Sequence, residues 1–150
     1  MKSITRNAYA KINLGLDVTG VLPSGYHEVK MIMQNVGICD TLTFTKREDD
    51  RIVIETNEGV LPTNEDNLIY KAVMLLRKLT GNKQGVTINL TKRIPIAAGM
   101  AGGSTDAAAT LLGVNELLGL GLSKEKIQEE SVSIGADVPY CVLGQTALSE

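Results

Sequence analysis

The stretch "IPIAAGMAGGSTDAAA", Ile94 to Ala109, sets the firmest limit on how this chain can fold. It places Gly99, Gly102 and Gly103 within five positions and then runs directly into alanine. Glycine gives the backbone conformations that other residues avoid, and alanine is the strongest helix former. The stretch therefore predicts a tight loop that ends where a helix begins, with that helix running from about Ser104 to Leu118.

What surrounds the loop is read from periodicity. "AYAKINLGLDVTGVL" alternates around Ile12, Leu14, Leu16 and Val18 and reads as a strand. Pro23 and Gly25 in "PSGYHEV" supply a turn, after which "MIMQNVGICDTLTFTKR" resumes strand character. "RIVIET" and "GVTINLTKR" add two strands with β-branched alternation. Between them a helix is expected, with Asp66 as its N-cap and Gly81 as its stop. Its apolar face is Leu68, Ile69, Ala72, Val73, Leu76 and Leu79. A third helix starts near Ser123, and "VPYCVLG" reads as a last strand. The closing "CVLGQTALSE" looks like half of a β-hairpin, which predicts a fragment whose continuation is missing. Strands, helix, strand, loop, helices and strand in that order make an α+β fold, not a doubly wound dinucleotide fold.

Composition narrows the classes. A chain of 150 residues fits one domain with a sizeable core, and 3% aromatics without Trp make that core aliphatic. A formal charge of −2 and no Lys/Arg cluster argue against nucleic acid as a partner. No run of 18 apolar residues reaches across a membrane, and "MKSITRNAYAKINLG" lacks a secretory pattern. Cys39 and Cys141 are far apart and read as buried, unbridged thiols, so a cytoplasmic protein is expected.

The glycine loop also has a chemical use. A helix N-terminus presents unpaired N–H groups and the positive end of the helix dipole, and glycine lets an anion approach them. Ser104 and Thr105 add hydroxyls that can cap the helix, meet a phosphate oxygen or reach Mg²⁺. Neither the Walker pattern nor the dinucleotide G-x-G-x-x-G is present, and a glycine turn used only for packing fits the same residues. Three other places offer chemistry beside plainer uses. Lys11 and Asn13 share one face of a strand, though a lone Lys is commonly just solvated. Tyr26 stands beside His27, the single histidine, and such a pair can simply pack. Asp137 lies between Gly135 and Pro139, where an acid can cap backbone.

Taken together, "AKINLGLDVTG", "PSGYHEV", "IPIAAGMAGGSTDAAATLLGVN" and "IGADVPYCVLG" resemble, in collinear order over essentially the whole chain, the GHMP kinase superfamily. Within it, "GYHE" with "AKINL" and "GADVPY" resembles the branch whose substrate is a cytidine-diphosphate-linked methylerythritol. The resemblance implies a ribosomal protein S5 domain 2-like fold for residues 1–150, with a C-terminal domain that this chain lacks. It implies ATP as co-substrate with Mg²⁺, and transfer of a phosphoryl group to the 2-hydroxyl of that substrate. Asp137 and Lys11 match the catalytic pair, and Asn13 matches a substrate-orienting residue. His27 matches the residue that hydrogen-bonds cytosine, Tyr26 one that stacks on the cytidine, and Met33 stands where some relatives carry an aromatic.

The phosphate cradle then runs through Pro95, Ala97, Ala98, Gly99, Met100, Ala101, Gly102, Gly103, Ser104 and Thr105, with Asn67 and Lys92 near the nucleotide base. Ala101 and Thr105 stand where many members have Gly and Ser, and both changes are small. No metal ligand is singled out; Asp106 is expected to face the helix start, which leaves the metal to phosphates and water. Three other functions compete: another GHMP kinase, a nucleotide-binding fragment without turnover, and an S5-like nucleic-acid module. The charge balance opposes the last, and "GYHE" opposes kinases whose substrates have no cytosine.

Overall fold

A computed structural model describes residues 3–13, 33–57, 67–94 and 102–148, apart from the side chains at 10–13, 33–37 and 144–148. Four strands form one sheet among them: β1 (Ser3–Asn13), β2 (Met33–Lys46), β3 (Ile52–Thr56) and β4 (Val86–Thr91). Their spatial order is β1-β2-β4-β3. The β1/β2 and β2/β4 pairs are antiparallel, and β3/β4 is parallel. A parallel pair cannot be joined by a hairpin, and helix α1 (Leu68–Thr80) makes the crossover. Helices α2 (Gly102–Leu118), α3 (Lys124–Ser131) and α4 (Val138–Leu148) complete the order. This is the α+β arrangement expected from the order of elements.

Alternation decides which face of the sheet is covered. Leu42, Phe44, Val86, Ile88 and Ala8 are fully buried, and Leu90 and Ile54 nearly so. The opposite face is polar. The Thr5 and Thr43 hydroxyls hydrogen-bond at 3.0 Å, and Thr41 donates to Asn7 at 3.1 Å. Such a one-sided antiparallel face is held by cross-strand pairs between β-branched residues.

Helix α2 lies over the apolar face. Ala107, Ala108, Ala109, Leu111 and Val114 are all 0% exposed, so this helix is covered on nearly every side. Gly113 is where it comes closest to β2, because a Cβ there would overlap the Phe44 ring. The helix begins two residues before the expected Ser104 and ends at Leu118 as expected.

Two local expectations are corrected. The N-cap of α1 is Asn67 and not Asp66: its Oδ1 accepts from the Ile69 N–H at 2.8 Å, and the helix starts at Leu68. Asn and Asp cap about equally well, so neighbouring candidates are separable only by backbone conformation. Gly81 ends that helix at φ 74°, its N–H bonding the Arg77 carbonyl at 2.7 Å.

The second correction is larger. "VPYCVLG" is no strand and "CVLGQTALSE" no hairpin; residues 138–148 form helix α4. Val138, Cys141 and Val142 are buried while Tyr140 and Leu143 are exposed, a spacing of three and four that belongs to a helix. Pro139 sits in the first turn, where its missing N–H costs no helical hydrogen bond. Cys39 and Cys141 form no disulfide; Cys141 is buried and Cys39 half-buried. No helix among the described residues is long and apolar enough to cross a membrane.

Candidate functional site

Residues on either side of positions 95–101 take part in a buried ionic cluster that sequence reasoning did not assemble. Asp40 stands on β2 at the inward-facing positions that Leu42 and Phe44 continue, yet it is charged. The β2/β4 register pairs Thr41 with Thr91, so its next step sets Asp40 opposite Lys92. The Lys92 ammonium lies 2.7 Å from Asp40 Oδ2 and 3.0 Å from Asp106 Oδ2 on α2. All three side chains are nearly sealed from water, at 5% exposure for Lys92, 0% for Asp40 and 4% for Asp106.

Asp40 does more than balance charge. Its Oδ1 accepts the backbone N–H groups of Arg93 at 2.6 Å and Ile94 at 2.9 Å. Those residues lead directly into positions 95–101, and the helix beyond them carries Asp106 in its second turn. One carboxylate therefore binds the chain entering the glycine segment, another belongs to the helix leaving it, and Lys92 joins the two.

The titration of the cluster is a consequence of its burial. Burial raises the Asp106 carboxyl well above the usual carboxylate range, and the neighbouring Asp40 raises it further; Lys92 opposes both. Its Oδ1 is buried and has no hydrogen-bond partner among the described residues. Burial also pushes Asp40 up. Hydrogen bonds from Asp106, the Ile94 N–H, Lys92 and the Arg93 N–H outweigh it and hold Asp40 below its ordinary value. For Lys92, burial favours the neutral amine, but the Asp106 charge and the hydrogen bond to Asp40 prevail and raise it. Of the two carboxyls around one ammonium, Asp106 is thus held above its ordinary value and Asp40 below it.

The expected site residues fall into three groups. Pro95, Ala97, Ala98, Gly99, Met100 and Ala101 lie outside the described residues, as do Tyr26 and His27 in the β1–β2 connection. Lys11, Asn13 and Met33 are described in backbone alone. The register sets Asn13 opposite Met33 and Lys11 opposite Asn35, so these positions gather at one end of the β1/β2 ladder. Just before them the pairing shifts from Tyr9↔Cys39 to Lys11↔Asn35, an irregularity of the kind that bends a strand and re-aims its far end.

The remaining residues are described in full. Gly102, Gly103, Ser104 and Thr105 form the first turn of α2, with Gly103 exposed, Ser104 half-buried and Thr105 buried. Asp137 is exposed immediately ahead of α4, which packs on α2, and its carbonyl accepts the Cys141 N–H at 3.2 Å. Asn67, expected near a nucleotide base, has its Oδ1 on the first turn of α1. Lys92, expected there too, has its ammonium between two carboxylates. Asp106, expected at the helix start, lies one turn in and pairs with Lys92.

A signal for the cluster was present in the sequence. Asp40 and Lys92 each interrupt an apolar inward face, and Asp106 is charged ahead of three alanines. No local pattern says that the three meet, since Asp40 and Lys92 are 52 residues apart.

Comparison with known proteins adds what the geometry cannot. A family model described as "GHMP kinases N terminal domain" matches residues 67–145. The chain is 50% identical over all 150 residues to a 4-diphosphocytidyl-2-C-methyl-D-erythritol kinase of Lachnospira eligens, covering 52% of that protein. It is 53% identical over 150 residues to the enzyme of that name from Lachnoclostridium phytofermentans, again covering 52%. A solved 4-(cytidine 5'-diphospho)-2C-methyl-D-erythritol kinase superposes with a TM-score of 0.68 at 28% identity, over 94% of this chain and 49% of that one. The chain spans about half the length of the curated relatives it matches.

Proposed function

This chain belongs to the family of GHMP kinase N-terminal domains, and on that premise we propose that it carries the ATP- and substrate-binding residues of a kinase acting on 4-diphosphocytidyl-2-C-methyl-D-erythritol. The reaction moves the γ-phosphoryl group of ATP to the substrate's 2-hydroxyl, a step of non-mevalonate isoprenoid synthesis in the cytoplasm. The observation that carries this reading is identity of 50% and 53% along the whole chain with kinases of that name.

Phosphoryl transfer asks for alignment and charge stabilisation more than for covalent help. The first turn of α2 supplies the elements of a phosphate cradle: glycine at 102 and 103, the N-terminal end of a helix dipole, and the half-buried Ser104 hydroxyl. The segment from 95 to 101 completes it. ATP arrives as its magnesium complex, so the metal is part of the co-substrate and keeps phosphate and water ligands. Among the described residues no three His, Cys, Asp or Glu side chains converge on a metal position. The two acids that do meet are taken by Lys92.

Asp137 accepts the proton of the attacking hydroxyl as the new bond forms, and Lys11 steadies the developing charge. Asn13 orients the substrate, His27 reads the cytosine edge, and Tyr26 with Met33 packs against the cytidine. The domain spanning 1–150 binds both substrates. Turnover also draws on the remainder of a protein of the relatives' length, so the 150 residues alone bind nucleotide without releasing ADP at an appreciable rate.

ADP release from MgATP and the cytidylyl substrate tests the assignment in a protein of the relatives' full length. Asp137→Ala is expected to slow transfer by about 10²–10⁴-fold while leaving ATP affinity nearly unchanged. His27→Ala should raise KM for the cytidylyl substrate more than KM for ATP. Turnover at the normal rate in the first variant, or equal KM effects in the second, refutes the corresponding role.

A further inference from the structure

Among the described residues, two grooves of opposite charge meet at the turn between α3 and α4. One, of about 630 Å³, is lined on α1 by Tyr70, Lys71, Met74 and Lys78, and by Ser133 and Ile134 from the turn. The other, of about 410 Å³, is lined on α3 by Glu125, Gln128 and Glu129, with Val132 from the turn and Pro139 of α4. Each groove takes a single stripe of its helix. Residues 71, 74 and 78 follow at steps of three and four, as do 125, 129 and 132.

The turn divides the two. Val132 belongs to one groove, while Ser133 and Ile134, next in the chain, belong to the other. The Ser133 and Ile134 N–H groups bond the Glu130 and Ser131 carbonyls at 3.2 and 3.0 Å, which fixes this ridge. Charge is sorted across it. No acid lines the α1 groove and no base lines the α3 groove, and Lys71, Lys78, Glu125 and Glu129 are all exposed. Each groove also holds a large apolar side chain that the domain leaves uncovered: Met74 at 45% exposure in the basic one and Val132 at 59% in the acidic one. Exposed apolar groups beside charge of one sign are what a protein partner with the opposite sign would match.

We propose that this face docks a second copy of the same chain, about a two-fold axis that runs along the 132–134 turn. That axis lays the basic groove of each copy on the acidic groove of the other, so a single surface is its own complement. Val132 of both copies meets at the centre, and Lys71 and Lys78 face Glu125 and Glu129 of the partner subunit on either side. Two grooves of like sign would repel under the same symmetry, and an unrelated partner would have to match both signs across one ridge.

Sedimentation of a protein of the relatives' full length tests the contact by exchange of charge. The parent is expected in a reversible monomer–dimer equilibrium that weakens as salt rises. Lys71→Glu with Lys78→Glu, and separately Glu125→Lys with Glu129→Lys, should each weaken self-association about tenfold or more. All four side chains are exposed, so both variants should melt nearly as the parent does. Mixed together, the two should recover the dimer, because every acidic groove then faces a basic one.

A parent that stays monomeric overturns the proposal. So does a dimer indifferent to both reversals, which must use another face, and so does a mixture that fails to recover. A monomer in which Lys71 and Lys78 resist amine labelling also overturns it, and assigns the face to another part of the same protein. If a reversed variant fails to fold, Val132→Lys decides. It sets two like charges on the axis and should weaken the dimer, and a dimer as tight as the parent's counts against the proposal.

Discussion

Two sets of charges in this domain look alike on paper and differ in what they do. Arg47 and Asp49, beyond the end of β2, form two parallel hydrogen bonds of 2.8 and 2.9 Å, about the best geometry such a pair can have. Lys92 reaches Asp40 and Asp106 by one bond to each, at 2.7 and 3.0 Å. Counting contacts would favour the first set. Exposure reverses the ranking. The Arg47 and Asp49 side chains are 26% and 44% exposed, so water replaces either partner when it leaves. Asp40 is 0% exposed, and water cannot reach it. What matters for the fold is therefore how easily a group finds another partner, and the buried cluster has no water to turn to.

Removing the cation from the buried set is the harshest trial of that contrast. Lys92→Met leaves Asp40 sealed beside a second acid, and should cost about 3–5 kcal/mol in urea unfolding. A loss no greater than that of a surface variant would erase the distinction. An uncharged insult to the same helix comes next. Gly113→Ala presses a methyl group into the Phe44 ring and should cost about 1–3 kcal/mol, with no change in pH dependence.

Asp106→Asn sharpens the comparison through pH. Below the ordinary value of 3.8 the Asp106 carboxyl is protonated in both folded and unfolded chains. As pH rises past it, the unfolded chain releases the proton freely while the folded chain holds it, so folding loses stability until the folded group also ionises. Asn cannot ionise. The variant should show a flatter stability profile above pH 3.8, and an unaltered slope in melts from about pH 4 to 8 would mean that Asp106 is ionised throughout.

The smallest effect belongs to the exposed pair. The hydrogen bonds from Arg47 and then from the Arg51 N–H lower Asp49 from 3.8 to about 2. Its contribution is complete above 3.8 and fades as pH falls toward 2. Asp49→Asn should leave neutral-pH melting nearly where it was and shift only the acid limb. A large loss at neutral pH would place this pair with the buried ones.

Much of the fold was legible because its signals are local. Leu42 and Phe44 on β2, and Val86, Ile88 and Leu90 on β4, alternate with polar neighbours, which identifies both strands and their inner face. Gly81 stops α1, and the Ser123 side chain accepts the Lys126 N–H to start α3, each by chemistry contained within a few residues. Residues 138–142 were harder. A short apolar run with two valines fits a buried strand as well as a helical turn, and the packing of α4 on α2 decides between them.

For the site, sequence pattern reached the positions and stopped at their partners. Gly102 to Thr105 could be placed at a helix start from composition, and Lys11 and Asn13 on one strand from spacing. The opposition of Asn13 and Met33 needed the strand register, and the meeting of Asp40 with Lys92 and Asp106 needed two separate elements packed together.

By itself, then, the sequence determined where β2, β3, β4 and three of the helices lie, the apolar side of the sheet, and the glycine-to-alanine passage that opens α2. Those depend on φ/ψ preference and on the periods of about two and 3.6, which neighbouring residues carry among themselves. Tertiary structure alone decided that 138–148 is helical and that three charges 52 and 14 residues apart share one dry pocket. The physical reason is solvent. Whether an ion is a solvated surface group or a buried tie depends on what covers it, and only the assembled sheet and helices provide the cover.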